Sequence, residues 1–342
     1  MGSLRIAVAL PHLGVYGGVR RFLELGNAWE ARGHRVSILL PEGARAREPW
    51  IPFRGRVGRL AEAASDGLDA FLSPDPGLFL AQDPPGALRV FYSVLEGAPR
   101  EREAVRHAHL VLANSAGLSR YWERRGIAAA AAPGGVNPGI FHPPASDPRP
   151  GRARSGTALH ALVYGRLSRK RKGSLAAARA VAAASRLSGV PVTLTLFDAR
   201  TGPGETPAEL PRPLSIPHRW VRDPSQDELA ALYGDADLFV SAERRAGWCN
   251  TAAEAMACGA AVVCTRSGTE DFARDGDTAL VRRFGWSWLL ARAAAALLRD
   301  PERRAAIAGR GREAIAAFTW ERTAERIEAA IRARLDAAGR GG

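Results

Sequence analysis

Lysine is nearly missing from this sequence. Of its 48 lysine and arginine residues only Lys170 and Lys172 are lysine. Arginine fills every other basic position and alanine is abundant, the pattern of a composition that writes arginine wherever a surface cation will serve. The net charge of +13 therefore excludes little by itself. It suits acidic partners such as phosphates or an anionic membrane surface, but much of it is ordinary solvated surface. No recognition helix, zinc finger or aromatic RNA platform accompanies it, which argues against nucleic acid as a partner. Cysteine is scarce too. Cys249, Cys258 and Cys264 are odd in number and form no C-x-x-C pair, so neither a disulfide framework nor a zinc site is expected. Long hydrophobic runs are absent, none reaching the ~18 residues of a spanning helix. No early segment joins a basic start, an apolar core and a small-residue cleavage site. The expectation is a reduced, cytoplasmic protein whose only membrane contact would be peripheral. Two phosphate-binding signatures are missing as well, the dinucleotide G-x-G-x-x-G and the G-x-x-x-x-G-K-[ST] loop.

What is present is a β-α-β grammar, written twice. At 342 residues and 46% hydrophobic content, the chain suits two domains. "LRIAVAL" reads as a strand, "PHLGVYGGV" as a turn-rich loop, and "VRRFLELGNAWEARG" as a helix with Val19, Phe22, Leu23, Gly26 and Trp29 at helical spacing and Gly33 as its stop. "HRVSILL" is the next strand, and a parallel sheet follows from this alternation. Further strands are expected near 70–72, 88–92 and 110–113. The Pro- and Gly-rich run "PGGVNPGIFHPPASDPRPGRARSG" breaks the pattern as a linker would. The grammar then restarts with "ALHALVYGR" and continues through "AAVVCT", and from about Trp286 the chain reads as helical. The expected layout is a first domain over 1–143, a linker over 144–157, a second domain over 158–315, and a last helix and tail over 316–342.

The chemistry-bearing segments fall at strand-to-helix loops, where doubly wound sheets hold ligands. In "YGRLSRKRKGS", Arg166, Lys170, Arg171 and Lys172 could clamp a diphosphate and stabilise it as a leaving group; the bland alternative is a basic surface loop. Lysine is a compact point charge that arginine does not replace everywhere, so finding both lysines here favours a phosphate contact. Gly17 and Gly18, beside Tyr16, precede a helix and would let its N-terminus approach an anion; a plain tight turn has the same spacing. In "ERRAGWCNTAAEAMACGAAVVCT", Asn250 and Thr251 are helix-cap types, and Thr251 with Glu254 has capping-box spacing. Glu254 is thus either a cap or a carboxylate in the first helical turn, placed to accept hydrogen bonds from paired sugar hydroxyls.

Together these segments resemble GT-B-fold glycosyltransferases, most closely family 4, the retaining nucleotide-sugar enzymes. "GGVRRFLELGNAWEARGHRVSILLP" is similar to that family's glycine loop and first helix, "VYGRLSRKRKGS" to its phosphate loop, "AGWCNTAAEAMACGAAVV" to its acidic donor motif and "FTWERTAERI" to its final helix. The resemblance implies two doubly wound Rossmann-like α/β domains facing a central cleft, with 1–143 on the acceptor side, 158–315 on the nucleotide-sugar donor side, and the last helix of 316–342 packing back on the first domain. It implies a nucleoside diphosphate sugar as co-substrate, a glycan, lipid-linked or small-molecule acceptor, and neither cofactor nor metal. Arg166 and Lys172 would bind the diphosphate, with Lys170 a competitor because the loop looks one residue longer than usual. Glu254 would bind the ribose. Backbone groups around Gly247, Trp248, Cys249 and Asn250 would face phosphates and sugar, and Gly17 and Gly18 would close over the donor. Tyr16 and Glu96 fall to the acceptor side. Two departures stand out. Ala246 occupies the place of the motif's first acid, so Glu243 would serve only through a shifted loop, and Leu95 replaces a histidine. They imply either altered donor contacts through Asn250 or Glu243, or a non-catalytic member that binds nucleotide or glycan beside a partner enzyme.

Overall fold

A computed structural model describes residues 2–44, 48–65, 67–95, 97, 99–144, 158–199 and 209–339. The expected linker, from residue 145 on, and Glu96 lie outside the described residues. The chain divides into two compact units, one of residues 1–135 with 318–342, the other of residues 136–317.

In the first unit the strands are β1 (Arg5–Ala9), β2 (Arg35–Leu40), β3 (Arg56–Arg59), β4 (Ala70–Ser73), β5 (Leu88–Ser93), β6 (Leu110–Ala113) and the two-residue β7 (Ala130–Ala131). They form one parallel sheet in the order β3-β2-β1-β4-β5-β6-β7. In the second unit β8 (Leu159–Tyr164), β9 (Val192–Asp198), β10 (His218–Arg222), β11 (Leu238–Ser241), β12 (Ala261–Thr265) and β13 (Leu280–Arg282) lie in the order β10-β9-β8-β11-β12-β13, again all parallel. Both orders reverse direction beside the first strand of their unit, the doubly wound Rossmann-like arrangement.

Burial explains which strands the sequence announces. β4, β5, β6, β11 and β12 are buried along their whole length, as parallel strands covered on both faces must be. They read as apolar runs. The strands β3 (RVGR), β10 (HRWVR) and β13 (LVR) are short and arginine-rich. Charge on a short edge strand blocks pairing with another chain, and the same charge hides the strand from a hydrophobic pattern.

The helices of the first unit are α1 (Gly17–Ala31), α2 (Pro76–Leu80), α3 (Glu101–Arg106) and α4 (Ala116–Glu123). Those of the second are α5 (Ser174–Ser188), α6 (Gln226–Asp235), α7 (Asn250–Ala257), α8 (Ser287–Arg299) and α9 (Pro301–Ile315). Ser225 and Glu228 form a capping box at the start of α6. The final helix, α10 (Trp320–Gly339), packs on the first unit. Its Trp320, Ala324, Ile327 and Ile331 join the core of β1, β2, β4 and α1, and the Trp29 indole donates to the Ala324 carbonyl at 3.1 Å. Burying each isoleucine contributes about 2 kcal/mol.

One carboxylate fastens α10. Glu328 accepts from Arg32 Nε at 2.8 Å and from Arg332 Nε at 2.8 Å, and His34 Nε2 stands 3.1 Å from its carboxylate. The Leu4 amide donates to His34 Nδ1, which fixes the tautomer with its proton on Nε2. Burial by itself raises the Glu328 pKa, but the hydrogen bonds from Arg332, Arg32 and His34 outweigh it and hold the carboxyl at about 2. A depressed carboxylate stabilises the fold above its unfolded pKa and loses that contribution as pH falls through the folded one. Glu328→Gln should therefore cost on the order of 3 kcal/mol at pH 7. In urea unfolding, the gap between wild type and variant should begin to close below about pH 4.5 and vanish near pH 2.

Candidate active site

The carboxyl ends of β8 and β11 flank the point where the strand order of the second sheet reverses. The loop after β8 carries Arg166 and then a short 3₁₀ turn over Lys170–Lys172, before Gly173 opens α5. The loop after β11 begins at Ala242 and Glu243. Four contacts latch the two loops. Lys172 Nζ donates to Glu243 Oε1 at 2.6 Å, and Arg171 Nη1 lies 3.5 Å from the same oxygen. The Arg244 amide donates to the Arg171 carbonyl at 2.8 Å, and Arg171 Nη1 donates to the Arg245 carbonyl at 3.0 Å. Thr265 at the end of β12 donates its hydroxyl to the Glu243 carbonyl.

Glu243 is buried, whereas the Lys172 and Arg171 side chains keep 22% and 45% of their surface in water. The buried acid thus holds the charged ends of two cations whose side chains remain partly in water. Ala246, the position expected to lack the acid, is half-buried, and its amide donates to the Ser267 hydroxyl. Glu243, the acid upstream of Ala246, lies at the start of the loop after β11, on Lys172. The Lys172 ammonium also stands 5.8 Å from the centre of the Tyr164 ring. Burial, and then the charge of Asp198, push the Tyr164 hydroxyl well above its usual range, so it stays protonated as a hydrogen-bond donor.

Arg166 is buried, and its Nη1 donates to the Ala199 carbonyl at 2.8 Å and faces Asp198 Oδ1 at 3.4 Å. Arg222 approaches the other Asp198 oxygen at 3.7 Å. Burial raises the Asp198 pKa against the opposing effects of Arg166, the Ala199 amide and Arg222. Sequence reading missed Asp198, Arg222 and Tyr164. The available signal was position alone, each lying at the carboxyl end of a strand in this sheet.

Glu254 is buried on α7 and accepts from the Tyr233 hydroxyl at 3.1 Å. Tyr233 sits edge-on to Phe141, Phe197 and Phe239. The capping-box alternative is corrected here. α7 starts at Asn250, its N-cap is Cys249 without a side-chain cap bond, and Thr251 stands inside the first turn with its hydroxyl 3.6 Å from Cys249 Sγ. Trp248 is buried against Phe272, and the Cys249 amide donates to the Gly268 carbonyl at 2.7 Å. That amide therefore holds its own loop in place. Gly247 is buried in the same turn. In the first unit, Tyr16 is the N-cap of α1 and stands 5.0 Å from the His12 ring. Gly17 and Gly18 open the helix as expected, with no atom within 4 Å of a Cβ added at Gly18.

Residues 158–300, within the second unit, match the family described as Glycosyl transferases group 1. No curated protein sequence matches the chain. Among solved structures, sucrose-phosphate synthase from Thermosynechococcus elongatus superposes with a TM-score of 0.76 at 19% identity, covering 98% of this chain and all of that one. The Anabaena protein HepE, in complex with UDP-glucose, gives 0.72 at 15% identity over 96% of this chain and 100% of that one. WaaG, a glycosyltransferase involved in lipopolysaccharide biosynthesis, gives 0.67 at 15% identity over 95% and 98%. The fold is GT-B. The latched loops lie within the residues that match the group 1 model.

Gly173 fixes how closely the latched loops of this GT-B domain can meet. Its φ is +64°, and a Cβ there would stand 2.1 Å from the Ala242 carbonyl oxygen, a backbone atom that cannot move aside. Gly173→Ala should lower stability by about 3 kcal/mol, read as a fall in the urea midpoint. The thiols give a second check. Burial, and then Glu243, push Cys249 up to about 11; burial, and then Cys249, push Cys264 up to about 12; Cys258 is buried as well. Ellman's reagent at pH 8 should label none of the three in the native protein and all three once it is unfolded.

Proposed function

We propose that the protein transfers a hexose-type sugar from a nucleoside diphosphate donor to a glycan, lipid-linked or small-molecule acceptor, with retention at the anomeric carbon. The observation that carries this reading is the latch itself. Lys172 and Arg171 are held by the buried Glu243 at the switch point of the second sheet, within the residues that match the group 1 model, and both side chains remain partly exposed. There they can take up the charge that grows on a departing diphosphate, and Arg166 braces the start of the same loop. Lys170 would be a peripheral phosphate contact. Glu254, with one oxygen on Tyr233, fixes the nucleotide, and Asn250 and Thr251 line the turn that presents it. The acceptor attacks on the face the diphosphate leaves, so bond making and bond breaking share one side of the sugar. Side-chain cations do the charge neutralisation, so this reading includes no metal. HepE has been captured with UDP-glucose and with UDP and glucose, which makes a uridine diphosphate sugar the first donor to try.

The test is ligand-observed NMR of a nucleotide-sugar panel with wild type, Lys172→Ala and Glu254→Ala. One donor should bind saturably and release sugar slowly. Lys172→Ala should lose on the order of 3 kcal/mol of transition-state stabilisation, roughly a hundredfold in kcat/KM. Donor binding without release, after acceptors have been supplied, would favour a non-catalytic binder, the reading suggested by Ala246 and Leu95. Absence of binding by any donor to folded protein would overturn the donor-site assignment.

A further inference from the structure

The loop after β13 and the first turn of α8 hold three large aromatic side chains in water. Phe284, Trp286 and Trp288 are 44%, 52% and 55% exposed. They stack, with ring centroids 4.8 Å apart and planes at 19° for Phe284 and Trp286, and 6.0 Å and 26° for Trp286 and Trp288. The Arg283 guanidinium lies 5.2 Å from the centre of the Phe284 ring. Contiguous apolar surface of this kind is unusual on a soluble protein and marks a place where something docks. The ridge has a defined location. Gly285 packs on the Ala242 carbonyl, where an added Cβ would come within 2.9 Å, so the ridge stands at the carboxyl edge of the second sheet beside the Glu243 loop. Arg244, Arg245 and Arg266 are exposed along that edge, and the Arg266 amide is tied to the Arg282 carbonyl at 3.1 Å. Of the acids nearby, Glu243 is buried, Glu270 faces Arg266 at 3.7 Å, and Asp275 pairs with Arg282 at 3.1 Å.

We propose that this ridge docks the protein on an anionic membrane surface. Ring geometry decides between a lipid and a glycan occupant. A pyranose needs an open aromatic face, and here the faces are spent on one another and on Arg283, leaving at most the outer face of Trp288. What the stack offers outward is ring edges, a narrow apolar ridge. Tryptophan and phenylalanine edges settle at headgroup depth, and neighbouring arginines meet anionic headgroups there. The chain's net charge of +13 adds long-range attraction of the same sign. Docking stands apart from the transferase reading; combined with it, docking would bring the Lys172 loop close to a lipid surface, where a lipid-linked acceptor resides.

The experiment is vesicle flotation of the whole protein with phosphatidylcholine alone and with phosphatidylcholine containing phosphatidylglycerol, at low and high salt. Wild type should float with the anionic vesicles only, and less at high salt. A variant with Trp286→Ser and Trp288→Ser should bind roughly tenfold more weakly or worse, and Arg283→Glu should also weaken binding, while both keep the wild-type circular dichroism melt. Nitroxide-labelled lipid should quench the tryptophan fluorescence of wild type more than that of the double variant. Absence of flotation, or equal flotation by the folded double variant, overturns the proposal. So does a tryptophan fluorescence response to a soluble oligosaccharide such as maltoheptaose without flotation, which would assign the ridge to glycan. Nucleotide-sugar binding by the same variants is read separately, so failure of docking and failure of the transferase reading are told apart.

Discussion

The ion pair between Lys172 and Glu243 organises the second unit. Each partner belongs to a loop at the carboxyl end of a different strand, and the pair closes the gap between them across the switch point of the sheet. Taking a carboxylate out of water is expensive unless cations and hydrogen bonds compensate. Glu243 has Lys172 and Arg171 on one oxygen and the Cys249 thiol 3.6 Å from the other. The same acid therefore fixes the geometry of a cationic loop.

A second buried carboxylate does comparable work in the first unit. Glu328 gathers Arg32, His34 and Arg332 and so holds the last helix of the chain against the first one. The chain thus returns, after the whole second unit, to complete the first unit's core with Trp320, Ile327 and Ile331. Apolar burial supplies most of the stabilisation, and the carboxylate sets the register of the helix. Both clusters follow one rule: a buried acid is tolerated where several donors from separate segments converge on it.

Much of the fold was legible because buried parallel strands write themselves as apolar runs. "RIAVA" and "AVVCT" could hardly be anything else. The edge strands "RVGR", "HRWVR" and "LVR" were not legible, since what suits a sheet edge is the charge that conceals it. The basic loop was legible for a compositional reason, both of the chain's lysines within three residues in a chain that otherwise writes arginine. Glu254 was visible as a candidate, but its spacing from Thr251 fitted a capping box equally well. Only the position of Tyr233, brought in from another helix, shows where its carboxylate is used.

The sequence by itself determined the two β-α-β series, the strand-to-loop positions of the cations and the helical tail, because each follows from periodicity or residue type within a few neighbours. Tertiary structure alone decided the partners. Glu243 stands 71 residues from Lys172, and Asp198 stands 32 from Arg166. Neither separation has a local pattern, since the pairs exist only when β8, β9 and β11 lie side by side. The exposure of Phe284, Trp286 and Trp288 was decided in the same way. In sequence they look like any other core residues, and it is the close approach of Gly285 to the backbone after β11 that leaves them outside.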